Sequence, residues 1–287
     1  MNYPKIGIRP AIDGRQGGVR ESLEGQTMAM AQAAKELIES SLRYADGAPV
    51  ECVVASRTIG GRADAEAARC EFLDKNVVAT LTVTPCWCYG TETLDLDPTT
   101  LKAVWGFNGT ERPGAVYLAA AMAAHAQCGL PAFKIYGHDV QDADDGTIPA
   151  DVAKKIISFA RAAVAAGQMR GKAYVNLGAS AMGIAGSQMN VDFFQKYLGM
   201  SVEFVDMTEI LRRMALHIYD EDEVARARAW IERKCPEGVD INLGRELPRI
   251  ITGSKVVPAD EDWDFIVRQV VIIRDILFGN PKLAEMG

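Results

Sequence analysis

Arg15 and Arg20, Trp87 and Tyr89, the pair Cys86 and Cys88, and His138 with the acids that follow it are the residues whose types and spacing can do chemistry. Arg15 lies in the stretch Asp13-Gly14-Arg15-Gln16-Gly17-Gly18, with Arg20 just beyond. A guanidinium presents a planar fork of donors suited to carboxylates, phosphates or sugar hydroxyls. A solvated turn charge is the alternative reading for an arginine in such a loop. Trp87 and Tyr89 share the loop Pro85 to Gly90. A loop tryptophan gives up a large apolar area to water unless something covers it, so it is either folded back into the core or kept for a ligand or partner.

Cys86-Trp87-Cys88 is a C-x-C, one residue short of the C-x-x-C redox spacing, and no second cysteine pair or histidine lies near enough to complete a zinc set. The six cysteines (Cys52, Cys70, Cys86, Cys88, Cys128 and Cys235) are scattered, which suits buried, reduced thiols better than a disulfide framework. His138 precedes Asp139, Asp142, Asp144 and Asp145, donors of the kind a divalent cation takes. The spacing fails the calcium-loop pattern, with Thr147 where glycine is required and Ala153 where glutamate is required. These acids are read instead as turn formers and as negative charge ahead of a helix beginning near Thr147 to Pro149. His125 and His217, each alone on a helix, are read as satisfied core or rim residues. In Gly178 to Ser187 (GASAMGIAGS) the glycines match neither the dinucleotide fingerprint nor a P-loop. Backbone amides there can hold a small anion or a sugar hydroxyl. Close helix-on-strand packing accounts for the same glycines, so no cofactor is assigned.

The elements that must position these residues alternate between strand and helix. Lys5 to Arg9, Val50 to Ala55, Val77 to Thr84, Ala103 to Phe107 and Ala132 to Tyr136 read as strands. Ser22 to Tyr44 with Ser22 as N-cap, Ala63 to Asn76, Pro113 to Gln127 and Asp151 to Gly167 read as helices. A polar break at Gln168 to Gly171 marks a boundary between units 1–170 and 171–287. The second unit restarts with strand Lys172 to Leu177 and continues through Val191 to Leu198, Val202 to Val205 and a helix from Thr208 to Tyr219. Thr208 and Asp220 are read as N-caps, Cys235 to Pro258 as irregular, and Trp263 to Phe278 as an apolar last helix. The fold class predicted is α/β: two consecutive open, mostly parallel-sheet (Rossmann-like) domains, the second truncated. In such sheets ligands bind where loops leave the carboxyl ends of strands, so Pro85 to Gly90 and Asn108 to Gly114 are expected to converge on one rim.

Among the 287 residues, 31 lysines and arginines stand against 38 aspartates and glutamates, a net charge of −7. That balance, with no concentrated basic face, argues against nucleic acid or an anionic membrane as partner. The N-terminus carries no apolar signal region and no run reaches the roughly 18 apolar residues of a membrane span, so a cytoplasmic protein is expected.

The strings TVTPCWCYGTETLDLDP, WGFNGTERPGAVYLAAAMAAH and IYGHDVQDADD resemble the N-terminal part of the L-fucose isomerases, a family also described as D-arabinose isomerases. PKIGIRPAIDGRQGGVRESLEGQT and GASAMGIAGS extend the likeness, which runs from Pro4 to Asp220 and is looser beyond. The resemblance implies aldose-ketose isomerisation through an enediol, with a glutamate, an aspartate and a histidine holding manganese. In the family all three lie C-terminal to the point where this sequence stops. No catalytic residue and no metal ligand therefore carries over to any position here, and no metal is expected on this chain.

What carries over is a pocket wall. In the family hexamer the first domain leans over the active site of a neighbouring subunit, and the arginine and tryptophan matching Arg15 and Trp87 touch the sugar. Tyr89 and Arg20 are placed on the same rim. The expectation is the N-terminal part of an L-fucose isomerase, inactive alone, whose partners are L-fucose or L-fuculose, further copies of itself, and a missing C-terminal region or chain. A stand-alone sugar-binding α/β module without turnover and a purely structural assembly domain remain the alternatives.

Overall fold

The computed structural model describes residues 3–89, 93–112, 114–234 and 259–283, the side chains of residues 181 and 259–262 excepted. The irregular stretch expected from Cys235 to Pro258 lies outside the described residues, as do Gly90 and Pro113 in the expected rim loops. Two compact units are present, 1–170 and 171–287.

The first unit is a five-stranded sheet in the order β2-β1-β3-β4-β5, with β1 Lys5–Pro10, β2 Cys52–Val54, β3 Val77–Thr84, β4 Leu101–Gly106 and β5 Ala132–Ile135. Every pairing is parallel: Ile8 stands opposite Leu81, Leu81 opposite Ala103, and Trp105 opposite Ile135. Ile6, Ile8, Leu81, Val83, Ala103 and Trp105 form the main core together with residues of α1 Val19–Ser41 and α4 Ala150–Met169. Leu23, Thr27, Met30, Ala34 and Ile38 recur near the helical period along the buried stripe of α1.

The opposite face of the sheet is polar where it is deepest. Thr80, Thr82, Arg9 and Lys102 are all under 5 % exposed. The reason lies in the connection from β3 to β4, whose described residues cross this face with no α-helix among them. A crossover without a helix leaves main-chain carbonyls in need of donors. Arg9 Nη1 donates to the Thr93 carbonyl at 2.9 Å and to Thr82 Oγ1 at 3.1 Å, and its Nη2 donates to the Leu94 carbonyl at 3.0 Å. Lys102 Nζ donates to the Thr100 carbonyl at 2.7 Å and to that of Asp97. Asp95 accepts from the Thr80 and Thr100 hydroxyls and supplies the counter-charge. α2 Arg62–Leu73 and α3 Gly114–Gln127 complete this side. His125 on α3 is a core residue, 1 % exposed with Nδ1 2.8 Å from the Ala121 carbonyl, but it is not the satisfied histidine read from the sequence, since its buried Nε2 has no partner among the described residues; burial lowers its pKa.

The second unit has a two-stranded parallel sheet, β6 Ala173–Leu177 and β7 Ser201–Val205, with α5 Val191–Leu198 between them. Ile210, Tyr219, Val224, Val267, Val271 and Ile272 form a core among α6 Met207–Ala215, α7 Glu221–Lys234 and α8 Ala259–Phe278. Both units are therefore α/β with parallel sheets. No helix among the described residues is long and apolar enough to cross a membrane.

Several helix ends differ from the sequence reading. α1 starts a turn early because the Glu21 carboxylate accepts from the amides of Gly17 and Gly18, at 3.3 and 2.7 Å, while Ser22 donates its hydroxyl back to Val19. Asp206, not Thr208, caps α6, accepting from the Thr208 amide at 2.8 Å. Asp220 does cap α7. His217 lies beyond the end of α6, exposed, at φ 55. Cys70 and Cys128 are exposed, so thiol burial holds only for Cys52, Cys86 and Cys88 among the described cysteines.

Replacing Arg9 by Met removes its hydrogen bonds to the Thr93 and Leu94 carbonyls and the main opposite charge acting on Asp95. A loss of about 3 kcal/mol in urea unfolding is expected. Burial raises the Asp95 carboxyl, but Arg9, Thr80, Lys102 and Thr100 outweigh it and hold it below the ordinary value. Its stabilisation is thus present above about pH 4 and is lost as pH falls through the lowered value. Asp95→Asn is expected to flatten that acid limb.

Candidate functional site

In a doubly wound sheet of this order the connections leaving β1 and β3 diverge, and the crevice outside their carboxyl ends is where ligands are received. The loop after β1 carries Asp13, Gly14 and Arg15, and the loop after β3 carries Cys86, Trp87, Cys88 and Tyr89. Arg15 and Tyr89 meet there, the guanidinium carbon 5.1 Å from the ring centroid. Trp87 is half-buried, edge-on to Tyr117 at 6.3 Å and 75°, and packs on a small core of Ala11, Ile12, Leu23 and Leu94. It is neither sealed in the interior nor free in solvent. Tyr89 is 52 % exposed. The rim loops also touch the strand beyond, since the Phe107 amide donates to the Thr84 carbonyl at 3.0 Å. The start of the Asn108 to Gly114 segment thus lies beside the first loop.

Arg15 is exposed yet fixed. Its Nε donates to both oxygens of Asp13 at 3.1 Å and its Nη2 to one of them at 2.7 Å. Nη1 makes no hydrogen bond among the described residues and is available to a ligand. The Asp13 side chain is 5 % exposed. Burial raises its carboxyl, but hydrogen bonds from the Arg15 side chain and amide prevail and hold it below the usual carboxylate range. In return Asp13 raises the arginine further above its ordinary value.

Gly14 is required by a main-chain contact: a Cβ there would lie 1.9 Å from the Gly60 carbonyl oxygen. The loop after β1 therefore lies directly on the loop after β2, and the Ile12 amide donates to the Ile59 carbonyl at 3.0 Å. Arg20, placed on the same rim by the sequence reading, is drawn into this frame instead. It donates to Asp64 at 3.1 Å, to the Thr58 carbonyl and hydroxyl at 3.1 and 3.0 Å, and to Glu24 at 3.4 Å. Sequence reasoning missed Asp13 and Thr58, whose roles depend on which loops the fold stacks together.

The other singled-out groups lie elsewhere. Asp145 accepts from the Thr147 amide and hydroxyl at 2.9 and 2.7 Å, the turn-forming role read from the sequence, and Asp139 pairs with exposed His138. Among the described residues no three of His, Cys, Asp and Glu come together closely enough to hold a metal ion. In the 178–187 loop Met182 is 93 % exposed, and Gly183 and Gly186 face open space, so close packing does not account for them. Two concavities lie off the rim, a groove of about 580 Å³ walled by Arg62, Phe72 and Leu94 and a cleft of about 320 Å³ walled by Gln26, Phe107 and Arg112. Neither is lined by Arg15, Trp87 or Tyr89.

The two successive α/β units match, in order, two domain models of one enzyme family. Residues 3–171 match the family model of the first N-terminal domain of L-fucose isomerase, and residues 172–287 that of the second. The chain is 69% identical over 285 residues to the L-fucose isomerase of Clostridium perfringens, 60% over 287 to that of Bacteroides fragilis and 54% over 286 to that of Haemophilus influenzae. These alignments cover at least 99% of this chain and 48% of each relative, so the chain spans about half the length of the curated relatives it matches. It belongs to the L-fucose isomerase family.

Gly14→Ala forces the two stacked loops apart and is expected to lower stability by about 2 kcal/mol in urea titration. An equal change at Gly25, where an added Cβ meets nothing within 4 Å, is expected to be neutral or stabilising in the same assay.

Proposed function

We propose that this chain is the N-terminal part of an L-fucose isomerase and forms one wall of its sugar pocket. The reaction is the interconversion of L-fucose and L-fuculose, and of D-arabinose and D-ribulose, through an enediol. The observation that carries this reading is the cluster of Arg15, Tyr89 and half-buried Trp87 at the point where β1 and β3 diverge. An indole face suits the C–H face of a sugar, and the free Nη1 donors of an arginine held by Asp13 suit its hydroxyls. Arg20 acts through the frame by holding the loop on which Arg15 sits. A neighbouring subunit of a hexamer closes the rim over the substrate.

In the whole enzyme a manganese ion held by carboxylates and a histidine would supply polarisation of the substrate oxygens. Among the described residues no three of His, Cys, Asp and Glu come together to hold it; it is the family resemblance that assigns its ligands and the proton-transferring groups to the part of the relatives that this chain does not cover. The chain binds, orients and shields, in the cytoplasm, and is inactive by itself.

The test is calorimetry with L-fucose and L-fuculose on the chain and on Trp87→Ala, together with turnover assays in manganese buffer with and without the C-terminal half of the Clostridium perfringens enzyme. Sugar affinity is expected to fall about tenfold, or about 1.4 kcal/mol, in Trp87→Ala. Turnover is expected only when the second polypeptide is present. Turnover by the chain alone would show that it holds its own catalytic groups. Sugar binding that needs Trp87, with no turnover in either case, would make it a stand-alone binding module.

A further inference from the structure

The cleft of about 320 Å³ beside α1 has no part in the function proposed above. It lies where the connections after β4 and β5 meet the first turns of α1. Ser22, Gly25 and Gln26 supply the helix wall, nearly sealed Trp105 and Phe107 the floor, and the 143–147 loop and Arg112 complete it. The walls are braced by their own hydrogen bonds. Gln26 Nε2 donates to the Ala143 carbonyl at 3.1 Å, and buried Gln141 donates to Asp145 at 3.2 Å and to the Thr147 carbonyl at 3.0 Å. The Gln141 amide donates to the Asn108 carbonyl at 2.8 Å and its carbonyl accepts from the Thr110 amide at 3.0 Å, which ties the segment leading to Arg112 to the same loop. A concavity formed in advance, in the range of roughly 300–1,000 Å³, is what small-molecule sites use.

Packing within the chain leaves two features of this cleft without a reason. Arg112 Nε is shut off from water and has no hydrogen-bond partner among the described residues. A buried donor without an acceptor is destabilising, and native structures seldom keep one. Gly25 stands inside α1, where glycine is a poor helix former. Neither Gly25 nor Gly146 of the loop has a positive φ, and a Cβ added to either meets nothing within 4 Å. The helix thus gives up stability to leave open space on the cleft wall. One occupant accounts for both features: its acidic head takes the donors of Arg112, and its body fills the space over Gly25.

We propose that this cleft is a ligand site of its own, and that it takes a small carboxylate that also carries hydrogen-bond donors. The planar fork of Arg112 matches a carboxylate. Asp144 lines the same cleft, and its charge disfavours a phosphate dianion while it accepts from the donors of the ligand. The Gln26 side-chain oxygen is a second acceptor, since its nitrogen is spent on Ala143. Hydroxy acids and amino acids share this chemistry.

The test is titration of the native chain with D-gluconate, whose donors are hydroxyls, and with L-threonine, which adds an ammonium group. The reporter is the 5-fluorotryptophan resonance that vanishes in Trp105→Phe. At least one acid is expected to shift it saturably, and D-glucitol, which lacks the carboxylate, is expected to leave it unmoved. A response to gluconate alone assigns hydroxyls as the donors to Asp144, and a response to threonine alone assigns the ammonium. Arg112→Met removes an unsatisfied donor, so it is expected to keep its urea midpoint while the affinity falls about tenfold. Gly25→Leu is expected to abolish the response by filling the cleft. Should Gly25→Leu unfold, Arg112→Met decides. Trp87→Ala is expected to respond as the native chain does. The proposal is overturned if neither acid moves the resonance, if glucitol moves it equally, if Arg112→Met binds as tightly as the native chain, or if Trp87→Ala loses the response. None of these outcomes depends on whether the Arg15 rim binds sugar.

Discussion

A parallel crossover made without a helix is the constraint on which the first unit turns. The described residues between Pro85 and Thr100 pass over the sheet with no α-helix among them, so their carbonyls need other donors. Arg9 and Lys102, the one from β1 and the other from β4, reach those carbonyls from the strands beneath, and Asp95 balances them. The threonines of β3 follow from the same need, since their hydroxyls solvate buried charges that aliphatic side chains would leave bare. The crossover begins with the loop that bears Trp87 and Tyr89, so the buried cations determine where the rim begins its course.

On the other side of the rim the same logic runs at the surface. Asp13 is nearly sealed and holds Arg15 through three hydrogen bonds, which leaves the arginine oriented although most of its side chain meets water. Arg20 fastens α1 to the loop after β2 and to the start of α2. Two neighbouring arginines in one short stretch thus divide the work: one presents donors, the other holds the platform still. A pre-oriented donor loses less freedom when a ligand arrives.

Much of this was legible in the sequence. Val77 to Thr84 is found as a strand at the limits read from its β-branched run, and Asp220 caps the helix it was read to cap. The family strings placed Arg15 and Trp87 in loops that the fold brings to one edge. The start of α1 was not legible, because the cap depends on a glutamate side chain folding back on Gly17 and Gly18, a choice that Ser22 appeared to settle first. Nor could the role of Arg20 be read, since its partners Thr58 and Asp64 are remote in sequence and only the order of strands brings them near. Lys102, written into an apolar run, gave no sign that it would be buried and wrapped by carbonyls.

The contact between Gly14 and Gly60 has a consequence for how this surface can vary. What a Cβ at Gly14 would strike is all main chain of Gly60, so there is no rotamer to turn and no bulky neighbour to trim. A lineage that lost Gly14 would have no compensating side-chain change available nearby, and would have to rebuild a whole connection. Variation on this surface is therefore channelled into the tips of the loops, at positions such as Tyr89, and away from their roots.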